Sequence, residues 1–243
     1  MDWLPPNGAL HGIALDRLLN INLALVFWIF VAAQILLVLA LVWRPRASAK
    51  PSRTLLILDY AALAAFAGLY LWMLVSGHRL WAARRESASP SNAVKVEVTG
   101  VQFQWYFRYP GPDGQYGRTA PTLVSAPAGN PLGLDPTDPR SRDDIVSAIL
   151  VLPAGQPVDL TLRAQDVIHG FFIPGMRLKQ DAIPGRPGHL QFTPIATGDY
   201  PILCSQVCGL GHARMQSRLR VVSPPDYNRW LATREKIVEA NAP

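Results

Sequence analysis

The sequence predicts a two-helix transmembrane hairpin followed by an all-β sandwich, and three observations predict it. Two apolar runs, 21–43 and 55–77, are each long enough to cross a bilayer. Beyond the Ser/Pro stretch at 87–91 the hydrophobic period changes from helical to two. The runs that follow are short and are separated by Pro/Gly turns. Composition agrees: 49% hydrophobic and 16% charged residues, with a mean hydropathy of +0.14, are too apolar for an ordinary soluble domain and too polar for a pure membrane bundle.

Residues 1–20 form an N-terminal outer segment and 21–77 the hairpin. The first helix, Ile21 to Trp43, carries no charge, and only Asn22 and Gln34 are strongly polar. At about 1.5 Å per residue it spans a hydrocarbon core of about 30 Å. It is longer than the apolar part of a secretory signal, and no small-residue cleavage pattern follows it. The second helix, Leu55 to Gly77, is rich in Leu and Ala and contains Asp59. That carboxylate either reaches water near the inner interface or belongs to a proton path. The connecting loop holds Arg44, Arg46, Lys50 and Arg53 and no acid, so the positive-inside bias makes it cytoplasmic. Both termini and everything after Gly77 then lie outside. Arg79, Arg84 and Arg85 act against this orientation, but a folded domain translocates largely regardless of charge.

Residues 78–93 are a linker and 94–224 the β domain. Val94, Val96 and Val98 alternate with Lys95 and Glu97, and Phe103, Trp105, Phe107 and Tyr109 alternate with Gln102, Gln104, Tyr106 and Arg108. Further strands are expected at 148–152, 158–163, 167–173, 189–192, 200–203 and 217–222, an antiparallel sandwich or barrel by pattern. Residues 110–144, rich in Gly, Pro and Asp, read as one long loop, and 225–243 as a helical tail.

The net charge of +6 does not indicate nucleic acid as a partner. Residues 1–93 carry 8 basic and 4 acidic side chains, and the other 150 residues carry 15 and 13 with no Lys/Arg run. Two cysteines cannot make a disulfide framework. They stand instead in CSQVCGLGHARM, with Cys204, Cys208, His212 and Met215 at offsets 0, 4, 8 and 11, and His169 lies 35 residues earlier. Thiolate, thioether and imidazole together form a soft ligand set that favours copper, since Met is a poor zinc ligand. A single-copper blue site uses one Cys, two His and a weak axial Met. Here one thiolate is to spare, and its simplest use is to bridge a second copper. A strained disulfide, or a zinc site of His169, Cys204, Cys208 and His212, are the plain alternatives. Cys-x-x-Cys-His, the attachment site of a c-type haem, is absent.

These motifs, with the aromatic strand VQFQWYFRYPGPDG and the stretch DVIHGFFIPGMRLKQDAIPGRPG, make the chain resemble subunit II of the haem-copper respiratory oxidases, the cytochrome c oxidase type with a binuclear CuA centre. The resemblance implies a cupredoxin-like Greek-key sandwich outside a bacterial-type cell membrane. It implies an oxidoreductase subunit that takes electrons from a cytochrome c or a small copper protein and passes them to haem in catalytic subunit I. The implied partners are that subunit, other oxidase subunits and membrane lipid. Carried over by motif, His169 and His212 are imidazole ligands, Cys204 and Cys208 bridging thiolates, Met215 the axial thioether and Gln206 a backbone-carbonyl ligand of two Cu ions.

Three positions depart from the family pattern. Gln206 stands where a Glu commonly also binds Mg or Mn at the subunit interface, which puts that second metal in doubt, since hard cations want carboxylate. The family's electron-accepting Trp aligns with Phe103, leaving Trp105 as a substitute or as a core aromatic. Asp135, Asp138, Asp143 and Asp144 are the only local acidic cluster available to dock a basic donor. Asp166, Lys179, Asp181 and Arg186 would line the face toward the haem-bearing subunit. A CuA subunit of a nitric oxide reductase and a membrane-tethered copper-delivery module remain alternatives.

Overall fold

The computed structural model describes residues 4–43, 53–85 and 90–240. Arg44, Arg46 and Lys50, on which the expected orientation rests, lie outside the described residues, as do Ser87 and Ser89 of the hinge. The chain divides into a helical unit, residues 13–88, and a β unit made of residues 1–12 with 89–243.

Both helices outrun their apolar cores. α1 runs Leu10–Trp43 and α2 Arg53–Arg85. Lipid matching requires only the apolar stretch, but the helix continues until something breaks it. Pro5 and Pro6 precede α1, and the Asn7 side chain accepts a bond from the Ala9 N–H (3.1 Å) at its start. Phe27, Trp28, Phe30, Leu36 and Val42 of α1, and Leu58, Leu63, Phe66 and Leu71 of α2, are all exposed. Apolar side chains so placed are stable against lipid rather than water.

The segment ahead of α1 belongs to the β unit rather than standing apart. Gly8 donates to the Gly175 carbonyl (2.7 Å) and accepts from Ile195 N–H (2.8 Å), Leu10 donates to Thr193 (3.0 Å), and Ala9 is fully buried. Residues 10–20 are already helix, so the expected 1–20 segment is divided between two elements.

Among the described residues, ten strands build two five-stranded sheets. The first holds β1 (Val94–Val101), β2 (Gln104–Tyr109), β3 (Ile145–Ser147), β5 (Val158–Ala164) and β8 (Gly188–Phe192), in the order β3-β2-β1-β5-β8. The second holds β4 (Leu150–Pro153), β6 (His169–Ile173), β7 (Leu178–Ala182), β9 (Gly198–Cys204) and β10 (Gln216–Val222), in the order β4-β10-β9-β6-β7. The antiparallel expectation is corrected at two places, because β1 pairs parallel with β5 and β4 parallel with β10. Parallel pairing needs a long crossover, and the chain provides one each time it leaves a sheet and returns.

The alternating residues meet between the sheets. Val96, Val98, Trp105, Phe107, Leu160 and Leu162 face Leu150, Leu152, Phe171, Ile173, Ile202 and Leu219 in one core cluster. Tyr109 ties β2 to β4: its hydroxyl donates to the Val151 carbonyl (3.0 Å) and accepts from Val151 N–H (2.7 Å). α3 (Pro224–Ala240) packs Trp230 edge-on against Tyr109, with ring centroids 5.0 Å apart. Ser223 caps it, its hydroxyl accepting from Asp226 N–H (3.3 Å).

β1 does not alternate in burial: Val96 to Gly100 are all buried. The long 110–144 loop is the reason, because it covers the polar face of the first sheet. Arg108, Glu97 and Asp144 are all buried beneath it. The Arg108 guanidinium donates to Glu97 (3.1 Å), to Asp144 and to the Gly117 carbonyl, and Arg163 joins Glu97 from β5 (2.8 Å). Short 3-10 turns at Pro121–Leu123 and Pro139–Ser141 lie within that loop.

Candidate metal centre

Sheet register assembles the site. β6 starts at His169 and pairs antiparallel with β9, setting Phe171 opposite Cys204. Ser205 N–H donates to the Gly170 carbonyl (2.8 Å), so the chain leaving β9 passes directly over the start of β6. A Cβ on Gly170 would stand 2.3 Å from Ser205 Oγ and 2.9 Å from Gln206 N, which is why glycine follows the histidine. The loop after Cys204 returns through a short helix at His212–Arg214, and Cys204 N–H then closes it on the Met215 carbonyl (3.1 Å).

Inside this loop the soft side chains converge. Cys204 Sγ and Cys208 Sγ are 3.9 Å apart, and Cys208 Sγ is 3.8 Å from His212 Nδ1 and 3.7 Å from Met215 Sδ. The Gln206 carbonyl lies 3.1 Å from Cys204 Sγ. A ring nitrogen of His169 falls within 4.8 Å of both sulfurs. All six residues carried over by motif therefore meet in one place, although His169 on β6 lies 35 residues before Cys204 at the end of β9, where the loop begins.

The hydrogen-bond pattern fits a cation. His169 is fully buried, and its Nε2 lies 2.7 Å from Asp166 Oδ1; a neutral ring that donates to this carboxylate keeps its lone pair on Nδ1. Nδ1 is buried and has no hydrogen-bond partner among the described residues. A buried acceptor without a partner is costly, and a metal ion beside two thiols satisfies it. Burial, then the adjacent Cys204 sulfur, pushes the Cys208 thiol up to about 11. The Cys208 thiol thus resists ionising unless a positive ion compensates it. Burial also acts upward on Asp166, but hydrogen bonds from His169 and from the N–H groups of Gln102 and Val167 outweigh it, and its carboxyl lies below the usual range. This donor set of two thiols, two imidazoles, a thioether and a carbonyl suits copper better than a hard cation.

The two aromatic candidates separate. Trp105 is wholly inside the core, edge-on to His169 (5.8 Å between centroids) and to Phe171 (5.2 Å). Phe103 is 38% exposed, and its ring covers the loop where a Cβ on Gly211 would come within 2.4 Å of Cδ2. The acidic cluster is not a free patch. Asp144 is buried against Arg108, while Asp135 and Asp138 pair with Arg118 (3.2 and 3.5 Å). Val207 and Leu210 are instead the large apolar side chains exposed on the loop, beside exposed Gln206 and Arg214. Asp166, assigned by resemblance to a subunit face, is hydrogen-bonded to His169; the i, i+3 spacing of Asp and His in DVIH was the available signal.

Residues 94–222, more than half of the chain, match the family model described as cytochrome c oxidase subunit II, periplasmic domain. The chain is 38% identical over 161 residues to the alternative cytochrome c oxidase subunit 2 of Bradyrhizobium diazoefficiens, covering 65% of this chain and 57% of that protein. It is 34% identical over 152 residues to cytochrome c oxidase subunit 2 of Synechocystis, covering 63% of this chain and 34% of that one. It thus spans well under two thirds of the length of these relatives. The crystal structure of the periplasmic domain of cytochrome oxidase subunit II of Bradyrhizobium japonicum aligns with a TM-score of 0.46 at 27% identity, over 62% of this chain and 99% of that one. With two apolar helices, a β sandwich and a soft ligand cluster inside the matched span, the chain belongs to the cytochrome c oxidase subunit II family.

Proposed function

We propose that the chain is the electron-accepting subunit of a respiratory cytochrome c oxidase. It takes electrons from a cytochrome c or a small copper protein and delivers them to haem in the catalytic subunit. The observation that carries this reading is the pair of thiols 3.9 Å apart, flanked by His169, His212 Nδ1, Met215 Sδ and the Gln206 carbonyl.

When bound, a copper pair would supply a one-electron redox centre. The residues of this chain do the rest. Cys204 and Cys208 would hold it through their sulfurs, and Asp166 fixes the tautomer and orientation of His169. Met215, fully buried, offers a weak sulfur ligand from a rigid position ahead of β10. His169 and Cys204 stand at the ends of the paired strands β6 and β9, which holds these two positions in place for both charge states. Phe103 is the aromatic exposed beside the ligand loop, and Trp105 serves as packing behind His169.

The surface around the loop bears on the donor. With Val207 and Leu210 exposed, and Asp135, Asp138 and Asp144 paired to arginine, an apolar contact suits docking better than attraction of a strongly basic protein. In this reading α1 and α2 cross a bacterial cell membrane, with both termini and the β unit on the periplasmic side. The Gly8–Gly175 and Leu10–Thr193 hydrogen bonds support the same side for the N-terminus and the sandwich. The haem-bearing subunit and other oxidase subunits are the expected partners, together with lipid. Gln206 supplies no carboxylate for an interface Mg or Mn ion.

The test is rapid mixing of the copper-loaded full chain in detergent with reduced cytochrome c or a reduced small copper protein. Electron transfer to the chain, lost in Cys208→Ser, supports the role. A loaded site that neither donor reduces would overturn it.

A further inference from the structure

The turn between β1 and β2, two residues long, touches both halves of the ligand set. Gln102 N–H donates to Asp166 Oδ2 (2.7 Å), and the other oxygen of that carboxylate holds His169 Nε2 (2.7 Å). The Gln102 side-chain amide donates to the Cys208 carbonyl, 106 residues away in sequence. Its neighbour Phe103 lies against Gly209 and Gly211 of the same loop. One residue therefore reaches one ligand histidine through a carboxylate and one ligand cysteine through its backbone.

The loop needs such a tie. Val207 and Leu210 at its tip are fully open to solvent or nearly so, so little apolar burial holds it down. Among the described residues, the loop's backbone bonds join Cys204 to Met215, Ser205 to Gly170, His212 to Gly209, Arg214 to Gly211 and Met215 to His212, and no backbone–backbone bond fixes the peptide groups of residues 206–208. The Gln102 amide supplies the missing hydrogen bond at Cys208. The fit is close: Gly209, at φ +139°, has Gln102 Nε2 within 2.9 Å of where a Cβ would stand, so both conformation and space require glycine there.

We propose that Gln102 is a positioning residue of the metal centre, a latch that holds the Cys208 loop closed against Phe103 whether or not metal is bound. This rests on the copper reading for its consequence but not for its geometry. Gln102→Met keeps the volume and removes the donor. Gln102→Glu sets an acceptor against the Cys208 carbonyl. Both leave the Gln102 N–H bond to Asp166 in place.

The experiment uses the full chain in detergent, reduced and metal-free, with Ellman's reagent as the thiol probe. Cys208 is 5% exposed, so its reaction reports loop opening. Both variants are expected to raise the rate about tenfold, equivalent to ~1.4 kcal/mol of closure, with an unchanged urea midpoint for the sandwich. After copper loading, the same variants are expected to release metal to a chelator about tenfold faster. Thiol rates equal to the parent, or rates that rise only in step with a lower urea midpoint, overturn the latch. Failure of the parent to take up copper, with the thiol arm as expected, overturns the copper reading and leaves the latch standing.

Discussion

Arg108→Met would leave two carboxylates stranded beneath the 110–144 loop. Arg108, Glu97 and Asp144 are 3%, 8% and 4% exposed, and Arg108 is the group that bonds Glu97, Asp144 and the Gly117 carbonyl together. Removing one partner of a buried ion pair costs about 3–5 kcal/mol, because the other charge keeps its desolvation penalty without compensation. Arg163 remains for Glu97 (2.8 Å), whereas Asp144 retains only the Gly117 N–H (3.0 Å). Asp144 therefore carries most of the loss.

The sign of the pH dependence follows. Burial already holds the Asp144 carboxyl above its ordinary value, with Arg108 and Gly117 acting downward. A carboxyl whose folded pKa exceeds its unfolded one contributes stability that is full below the unfolded value and lost as pH rises through the folded value. Arg108→Met removes the largest downward influence, so the folded pKa rises further. The loss is greatest at neutral pH and shrinks toward pH 4. For a unit of this size the melting point should fall by roughly 6–20 °C at pH 7, read from the fluorescence of buried Trp105 in the full chain. A fall worth less than about 1 kcal/mol, or one equally large at pH 4.5 and pH 7, would refute the reasoning.

Other perturbations divide the site by role. On the proposed binuclear reading, Cys208→Ser removes one of two sulfur ligands, and bound copper should drop from two ions to at most one, measured by metal analysis. Met215→Leu keeps volume and both thiols; copper content should hold while the reduction potential changes, read by redox titration. Gly170→Ala drives a Cβ into Ser205 Oγ and Gln206 N, and since the nitrogen is backbone the loop must shift. Copper uptake should weaken at least tenfold while the sandwich stays folded by circular dichroism, and normal uptake would contradict the packing account.

The candidate ligands could be picked out because chemistry and spacing coincide in one short segment: Cys204, Cys208, His212 and Met215 lie within a dozen residues. His169 required more, since only the β6–β9 register brings it beside Cys204. The helices were legible in type but not in length, because hydropathy marks the lipid-facing part while residues 10–20 and 78–85 continue as helix for local reasons. The 110–144 loop showed no period, and its function as the cover for Arg108 is a long-range ion-pair relation that no local pattern encodes. The parallel pairs β1/β5 and β4/β10 were hidden for the same reason. Asp135, Asp138 and Asp144 looked like a surface patch until their arginine partners were in view. Alternation placed Trp105 on the inward face of β2, but Phe103 shared that alternation and lies in the turn, where the pleat ends.

Copper stoichiometry with electron paramagnetic resonance tests the central claim most directly. The sample should be the full chain, because Ala9 and its neighbours complete the β unit and a fragment starting near residue 90 would lack them. Two coppers per chain with a mixed-valence signal delocalised over both nuclei is the predicted result. One copper per chain with a signal confined to a single nucleus, or zinc held in preference to copper, would contradict it.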